Sequence, residues 1–213
     1  MKNMKGLAAP VKRVTVALTV AALLQAGSAL AALELRDING NATAITADAE
    51  FAYDTVLDAT WYLTGNNTGL TWDDAKSWAA GLTVGTFSGW SLPAADPACG
   101  GFSYNCTNSQ MGELYYTALG IAAGGPLSNT GPFKNLQSHY YWSGTETPFA
   151  PFSAWYFFTG YGYQDTNPKS TGLYALAVLP GDVAAVPEPG MVALLLSGLA
   201  GVLVMRRRRP VRS

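Results

Sequence analysis

The chain has 213 residues, of which 13% are charged and 49% are hydrophobic, and its formal net charge is −1. Because the composition lacks the strongly basic balance that nucleic-acid-binding proteins use to contact phosphates, we exclude a nucleic-acid partner. Nine of the 13 basic residues lie within the first 13 or the last eight positions, so the rest of the chain is far more acidic than the total suggests.

The first 31 residues have the three-part pattern of a secretory signal peptide. Four basic residues lie within the first 13 positions, residues 14–24 form an apolar run, and Ala29-Leu30-Ala31 is a small-x-small cleavage site. We therefore predict export through the Sec machinery and cleavage after Ala31. An uncleaved N-terminal helix is the alternative.

Between residue 32 and Pro189 only Arg36, Lys76, Lys134 and Lys169 are basic, because four of the 13 basic residues precede this segment and five follow it. Against the 14 acidic residues these four give a net charge of −10. Such a segment repels anionic membranes and anionic polymers. Neutral glycans, or acidic glycans bridged by divalent cations, fit as partners, although the charge can also serve solubility alone.

Residues 32–183 are predicted to form one domain of ordinary size with an aromatic core. A β-prone segment covers residues 60–64. A helix is predicted next, capped by Thr71 with Asp74 three residues on, and ended by Gly81. Its apolar residues repeat at i, i+3, i+4 and i+7, and they are Ala75, Trp78, Ala79 and Leu82.

Cys99 and Cys106 are the two cysteines of the chain. A close pair of cysteines in an exported protein predicts a disulfide rather than two free thiols. Two cysteines and one histidine do not complete a four-ligand zinc site, so we predict no metal there.

A second helix is predicted from Ser109 to Leu119, with Gly120 in the C′ position. Three β-prone segments follow, at residues 140–143, 154–159 and 173–179. The last two could pair across the loop from residue 160 to residue 172. Strands at both ends with helices between them predict an α+β fold with small antiparallel sheets.

Residues 184–213 have the composition of a sorting or anchoring segment. They contain Val186-Pro187-Glu188-Pro189, an uncharged run over residues 191–205, and the cluster Arg206, Arg207, Arg208 and Arg209. The prolines cannot continue a helix. About 15 apolar residues span about 23 Å as a helix, less than the roughly 30 Å hydrocarbon core. The arginines can snorkel and act as the membrane stop on the cytoplasmic side.

This order of motif, apolar helix and basic cluster resembles the PEP-CTERM signal of Gram-negative bacteria. The resemblance implies an inner-membrane precursor held by its C-terminal helix and recognised by an exosortase. It also implies cleavage near the motif and delivery to the cell surface or the exopolysaccharide matrix. A plain C-terminal membrane anchor is the alternative.

Residues 54–182 resemble the DUF1566 or Lcl-type domain, which is similar to C-type-lectin-like folds. The segments that carry the resemblance are, in order, 71–79, 82–85, 89–93, Glu113-Leu114, 141–143, 154–157 and 175–178. The resemblance implies a C-type-lectin-like fold and a surface location, and no reaction. Ser91 and Leu179 depart from the family, which usually has arginines there, so any role of those arginines is absent.

No catalytic residue is predicted. His139 is the one histidine, it lies beside two tyrosines, and nothing resembles a nucleophile elbow, so we expect a structural role for it. Glu113, Glu146, Asp165 and Asp182 qualify for two-carboxylate glycosidase chemistry only as any carboxylates do. A surface hydrolase would show carboxylates converging in one cleft, one of them with a raised pKa.

Two segments rich in Tyr, Asn, Gly and Pro, residues 146–151 and 161–171, are predicted to be ligand-binding loops. Tyr161 and Tyr163 are expected to be exposed and able to stack on a sugar ring. The candidate ligand residues are Glu146, Tyr161, Tyr163, Asp165 and Asn167. The calcium motifs of sugar-binding lectins are absent, so no cofactor is predicted, with calcium kept as an alternative.

The sequence therefore predicts an exported, non-enzymatic protein of the cell surface or matrix that binds a glycan or a protein. A surface hydrolase and a purely structural matrix component are the alternatives.

Overall fold

A computed structural model describes residues 33–184. The predicted signal peptide, the Pro-Glu-Pro motif, the apolar run and the arginine cluster lie outside the described residues. Within residues 33–184, no helix has the length and apolar character needed to cross a membrane. This part of the chain mixes helices and sheets, which confirms the predicted α+β class.

Residues 33–184 contain ten strands in two sheets. In chain order they are β1 (Leu33–Arg36), β2 (Phe51–Asp54), β3 (Ala59–Tyr62), β4 (Asn66–Leu70), β5 (Ser103–Tyr104), β6 (Tyr140–Glu146), β7 (Ser153–Phe158), β8 (Tyr163–Pro168), β9 (Leu173–Ala175) and β10 (Val178–Pro180). The four-stranded sheet has the order β1-β2-β3-β10 and the six-stranded sheet the order β4-β9-β6-β7-β8-β5. Adjacent strands are antiparallel, except that β6 and β9 are parallel.

The predicted single strand over residues 173–179 is wrong, because this segment forms β9 in one sheet and β10 in the other. Between them, Leu176 and Ala177 are buried in two different hydrophobic clusters. A run that is apolar on both faces has no alternation of apolar and polar residues. The sequence therefore does not indicate where the chain crosses from one sheet to the other.

The predicted pairing of residues 154–159 with residues 173–179 is also wrong. β8 lies in the predicted loop and pairs with β7, with Trp155 opposite Thr166. The sequence Gln164-Asp-Thr-Asn-Pro168 is polar throughout, so the apolar alternation that indicates a strand is missing.

The first helix, α1 (Trp72–Gly81), forms as predicted. The Thr71 hydroxyl accepts a hydrogen bond from the Asp74 N–H, which satisfies one of the unpaired donors at the helix start. Trp72, Ala75 and Ala79 are buried, and the helix packs on β9, β4 and β6.

The second helix also forms where it was predicted, but its second half is wider than an α-helix. An α-helical turn, α2 (Gln110–Glu113), leads into a π-helical turn over Leu114–Ala118. The Ser109 hydroxyl caps the start by accepting from the Gly112 N–H. The chain leaves the helix at Gly120, whose φ is 66°.

The two helices lie on opposite faces of the six-stranded sheet. Neighbouring residues of one strand point to opposite faces, and two neighbours on β6 belong to clusters that contain different helices. On β6, Tyr141 belongs to the hydrophobic cluster that includes Met111, Leu114 and Tyr115 of the second helix. Trp142 belongs to the cluster that includes Trp72, Ala75 and Ala79 of α1.

The predicted disulfide is confirmed, with an S–S distance of 2.02 Å between Cys99 and Cys106. The two cysteines enclose a loop that contains β5, the edge strand of the six-stranded sheet. Cys106 is buried.

The last described residues are held by a C-terminal clamp, formed by Arg36, Thr60, Asp182 and Val183. The Arg36 guanidinium is buried and donates to both carboxylate oxygens of Asp182, over 3.1 and 2.7 Å. The Thr60 hydroxyl donates to the Gly181 carbonyl over 2.7 Å, and Val183 is buried. The chain is therefore fixed to the four-stranded sheet up to Val183.

Gly112 has no room for a side chain, because a Cβ there would lie 2.0 Å from the Cys106 carbonyl oxygen. We expect Gly112→Ala to destabilise the domain by about 1–3 kcal/mol through overpacking. Gly81→Ala is the matched control, since a Cβ at Gly81 meets nothing within 4 Å and should stabilise by roughly 0.5 kcal/mol. Urea unfolding followed by tryptophan fluorescence measures both variants, and equal midpoints would contradict the close packing.

Candidate functional site

One face of the six-stranded sheet is covered by α1 over β4, β9 and β6, whereas its continuation over β7, β8 and β5 carries a group of aromatic side chains. We call this group the aromatic face. Its members are Phe102, Tyr104, Tyr140, Tyr156, Phe158, Tyr161 and Tyr163.

The strand register explains why these rings meet. Tyr140 of β6 lies opposite Phe158 of β7, Phe158 lies opposite Tyr163 of β8, and Tyr163 lies opposite Tyr104 of β5. Four adjacent strands therefore place one aromatic residue each in a row, and directly opposite side chains share a face of the sheet.

The rings of this row are in contact from end to end. Centroid distances are 4.3 Å between Tyr140 and Phe158, 5.3 Å between Phe158 and Tyr163, and 5.7 Å between Tyr163 and Tyr104. At the β5 end the Phe102 ring lies 4.9 Å from that of Tyr163. At the turn between β7 and β8 the Tyr161 ring lies 5.6 Å from that of Phe158.

The aromatic face has buried rings at its centre and exposed rings at two edges. Tyr163 is 9% exposed, and Tyr140 and Phe158 are half-buried. Phe102 is 63% exposed and Tyr104 38% at the β5 end of the row, and Tyr161 is 53% exposed at the turn between β7 and β8. Large exposed rings in contact with a continuous row form an apolar surface of the kind that binds partners.

Polar groups border the rings. Burial and hydrogen bonding to Tyr140 and Tyr156 raise the pKa of Tyr163, and burial raises the pKa of Tyr156. Both hydroxyls therefore keep their protons at neutral pH. Asp165 and Asn167 follow Tyr163 at alternate positions of β8 and so share its face.

The structure places Tyr161, Tyr163 and Asp165 of the predicted ligand segment on or beside the aromatic face, but three details differ. Asn167 lies opposite Ala154, at the same level of the sheet as Glu146 and four positions along β8 from Tyr163. Residues 163–168 are a strand and not a loop. The expectation that Tyr163 is exposed is wrong, because its position on the sheet packs it against Phe102 and Phe158.

Glu146 lies apart from the aromatic row. It is opposite Ala154, four positions along β7 from Phe158, and its carboxylate forms an ion pair of 2.5 Å with Lys169. The Lys169 ammonium also lies 4.4 Å from the ring centroid of Trp72. Glu146 therefore has a local partner at the far end of the strand.

The sequence did not identify four members of the aromatic face, which are Phe102, Tyr104, Tyr140 and Phe158. Tyr156 and Phe158 alternate along β7, which was the available signal for one shared face. Nothing in the sequence indicated that the disulfide loop would extend that face.

The four carboxylates considered for hydrolysis do not converge, because each has a different neighbour. Glu113 faces Asp54, Glu146 binds Lys169, Asp165 accepts from the Thr166 N–H, and Asp182 binds Arg36. His139 stacks on Tyr174 with a centroid distance of 3.8 Å, an arrangement that suits a structural role.

Glu113 and Asp54 form a buried carboxyl pair. Burial, together with the hydrogen bond to Asp54 and the charge of Asp54, raises the pKa of Glu113 to about 8. Asp54 accepts hydrogen bonds from the N–H groups of Val56 and Leu57, over 3.0 and 3.1 Å. Glu113 therefore keeps its proton at neutral pH. Among residues 33–184, Asp54 Oδ2 and both Glu113 carboxyl oxygens are buried with no other hydrogen-bond partner.

A separate open cleft of about 410 Å³ is lined by residues that include Lys76, Trp90, Ser91 and Thr145. Ser91 exchanges two backbone hydrogen bonds with Val178, of 2.9 and 2.8 Å. The two positions at which the family resemblance implies arginines, Ser91 and Leu179, are thus neighbours in space. Neither Glu113 nor Asp54 lines this cleft.

Within the part of the chain that the structure describes, no group of three or more His, Cys, Asp or Glu side chains is placed to hold a metal ion.

Residues 185–209 match the family described as the PEP-CTERM protein-sorting motif. This match confirms the predicted sorting signal and indicates exosortase-dependent export, with a membrane-anchored precursor that is processed to the cell surface. No curated protein and no solved structure matches the chain. The DUF1566 resemblance therefore stays a prediction.

Proposed function

We propose that this exported protein is a non-enzymatic surface or matrix component that binds a neutral glycan on its aromatic face. The observation that carries the proposal is the continuous row of rings, with the exposed Phe102 at its β5 end and the exposed Tyr161 at the turn between β7 and β8. In this proposal residues 32–183 are a lectin-like domain of the DUF1566 or Lcl type.

A neutral glycan fits the chemistry of the aromatic face. The C–H side of a sugar ring is apolar and packs on an aromatic ring, while its hydroxyls need donors and acceptors. Tyrosine hydroxyls and the Asp165 carboxylate, which lies opposite Tyr156, supply both beside the rings. The face contains no basic residue, so an anionic polymer would meet Asp165 without a compensating cation.

The separation of the four carboxylates supports a binding role over hydrolysis. Glu113 has the raised pKa expected of a catalytic acid, but it is buried against Asp54 and does not line the open cleft of about 410 Å³. A glycosidase requires two carboxylates on either side of the scissile bond.

Affinity electrophoresis of the mature protein, produced in a host that contains an exosortase, tests the proposal. We expect retardation by at least one neutral polysaccharide among laminarin, mannan and galactan, and none by alginate. Tyr161→Ala should weaken this binding about 3- to 10-fold through the lost ring contact.

Val56→Ala is the matched control, because Val56 is as exposed as Tyr161, at 54% against 53%, but belongs to the turn between β2 and β3. It should leave binding unchanged. The proposal fails if the folded protein is retarded by none of the neutral polysaccharides, or if both substitutions weaken binding equally.

A further inference from the structure

The disulfide loop holds Phe102 in a backbone conformation that a phenylalanine rarely adopts. Its φ is 47°, in the left-handed region where the Cβ of an L-residue is crowded. Among residues 33–184, the other non-glycine residues with positive φ are Asp58 and Asn105. Asp and Asn tolerate this region through local hydrogen bonds, so Phe102 is the bulky exception.

Hydrophobic burial does not offset this strain, because the Phe102 ring is 63% exposed. Its ring neighbours are Tyr163 at 4.9 Å and Tyr104 at 6.1 Å. A glycine at this position would adopt the same φ freely and would expose no apolar ring to water. The contact with Tyr163 is the packing gain that Phe102 provides, and it leaves most of the Phe102 ring in water. Local strain that the surrounding structure maintains for so exposed a ring indicates a functional position.

The structure fixes Phe102 from both sides. On one side Gly101 lies close to β8, since a Cβ there would lie 2.9 Å from an Asp165 carboxylate oxygen. On the other side Ser103 and Tyr104 pair with β8, the Asn105 N–H donates to the Tyr116 hydroxyl over 2.9 Å, and Cys106 is buried in the disulfide.

Phe102 and Tyr161 are exposed rings at two edges of the aromatic face, with the rings of Tyr163 and Phe158 between them. A single sugar can stack on one of these exposed rings. A chain of several sugars can contact both.

We propose that Phe102 is the second stacking position of a site for an internal stretch of a neutral polysaccharide, presented by the disulfide loop. The proposal rests on the proposed function, since it assigns the length of the glycan that the aromatic face binds. Phe102 then determines the preference for oligosaccharides over monosaccharides.

The test compares the wild type, Phe102→Gly and Phe102→Tyr in isothermal titration. The ligands are neutral hexasaccharides of the gluco, manno and galacto series and the corresponding monosaccharides. We expect Phe102→Gly to weaken binding of the preferred hexasaccharide about 3- to 10-fold and to leave monosaccharide binding unchanged. Phe102→Tyr keeps the ring and should keep wild-type affinity.

Thermal unfolding separates the strain from the ring contact when Phe102→Gly is compared with Phe102→Ala. Both variants lose the ring contact with Tyr163, but only glycine relieves the left-handed strain, so the Tm of Phe102→Gly should be about 2–4 °C above that of Phe102→Ala. The double variant Cys99→Ser with Cys106→Ser should also lose hexasaccharide affinity, because the ring is no longer held.

The possible failures are distinguishable. If the wild type binds no hexasaccharide, both the proposed function and this inference are wrong. If the wild type binds but Phe102→Gly binds equally well, the aromatic face is a glycan site and Phe102 is not part of it. A Tm for Phe102→Gly that is no higher than that of Phe102→Ala would overturn the assignment of strain.

Discussion

Raising the pH from about 5 to about 9 should lower the free energy of unfolding by on the order of 4 kcal/mol through one buried carboxyl group, Glu113. Its pKa is about 8 in the folded protein and 4.5 when unperturbed. Between these values the unfolded chain has lost the proton that the folded chain retains. The stabilisation is fully present below pH 4.5 and is lost as the pH rises through 8.

Urea unfolding at several pH values measures this effect. Glu113→Gln should flatten the profile, because the amide still donates to Asp54 and has no proton to lose. At about pH 9 this variant should be more stable than the wild type. Glu146→Gln is the control, since Glu146 is an exposed carboxylate paired with Lys169, and it should keep the wild-type slope. Identical slopes for the wild type and Glu113→Gln would contradict the shared proton.

Removing Arg36 from the C-terminal clamp should lower the free energy of unfolding by nearly as much as this rise in pH. Arg36→Ala deletes a buried guanidinium that binds Asp182 through two hydrogen bonds and Glu34 through one. We expect the free energy of unfolding to fall by about 2–4 kcal/mol. This is somewhat below the usual range for a broken buried pair, because the Asp182 side chain is 25% exposed and can be hydrated.

Lys134→Ala provides the comparison, since Lys134 and Glu50 form an ion pair between partly exposed side chains. Such pairs contribute up to about 1 kcal/mol. Arg36→Lys should recover only part of the loss, because an ammonium group cannot reproduce the two-point contact with Asp182. A lower unfolding midpoint for Lys134→Ala than for Arg36→Ala would refute this account of the clamp.

Elements with local signals were predictable from the sequence. Thr71 and Ser109 are helix caps whose effect depends on residues three positions away, so both helices were located correctly. β8 was missed because its residues are polar and it is specified by pairing with β7, a contact distant in sequence. The π-helical turn at Leu114–Ala118 was not predicted either, because the spacing of its apolar residues is that of an α-helix.

The candidate site was predictable in its residues more than in its geometry. Tyr161, Tyr163, Asp165 and Asn167 were identified from composition. The first three lie on or beside the aromatic face, whereas Asn167 lies opposite Ala154. Whether Tyr163 is exposed depends on the register with Phe158 and Tyr104, which the sequence does not contain. The position of Phe102 depends on a disulfide loop folded against β8, so it emerged only from the structure.

The C-terminal clamp has a consequence for how copies of this protein would act together. Val183 is buried, and the match to the sorting motif begins at residue 185. In the sequence, only Ala184 separates Val183 from the first residue of the matched motif. Copies fixed to a surface near this motif would have little freedom to turn, and would present their aromatic faces at a common angle. A long polymer could then engage many copies at once, so that weak single contacts add up to strong avidity.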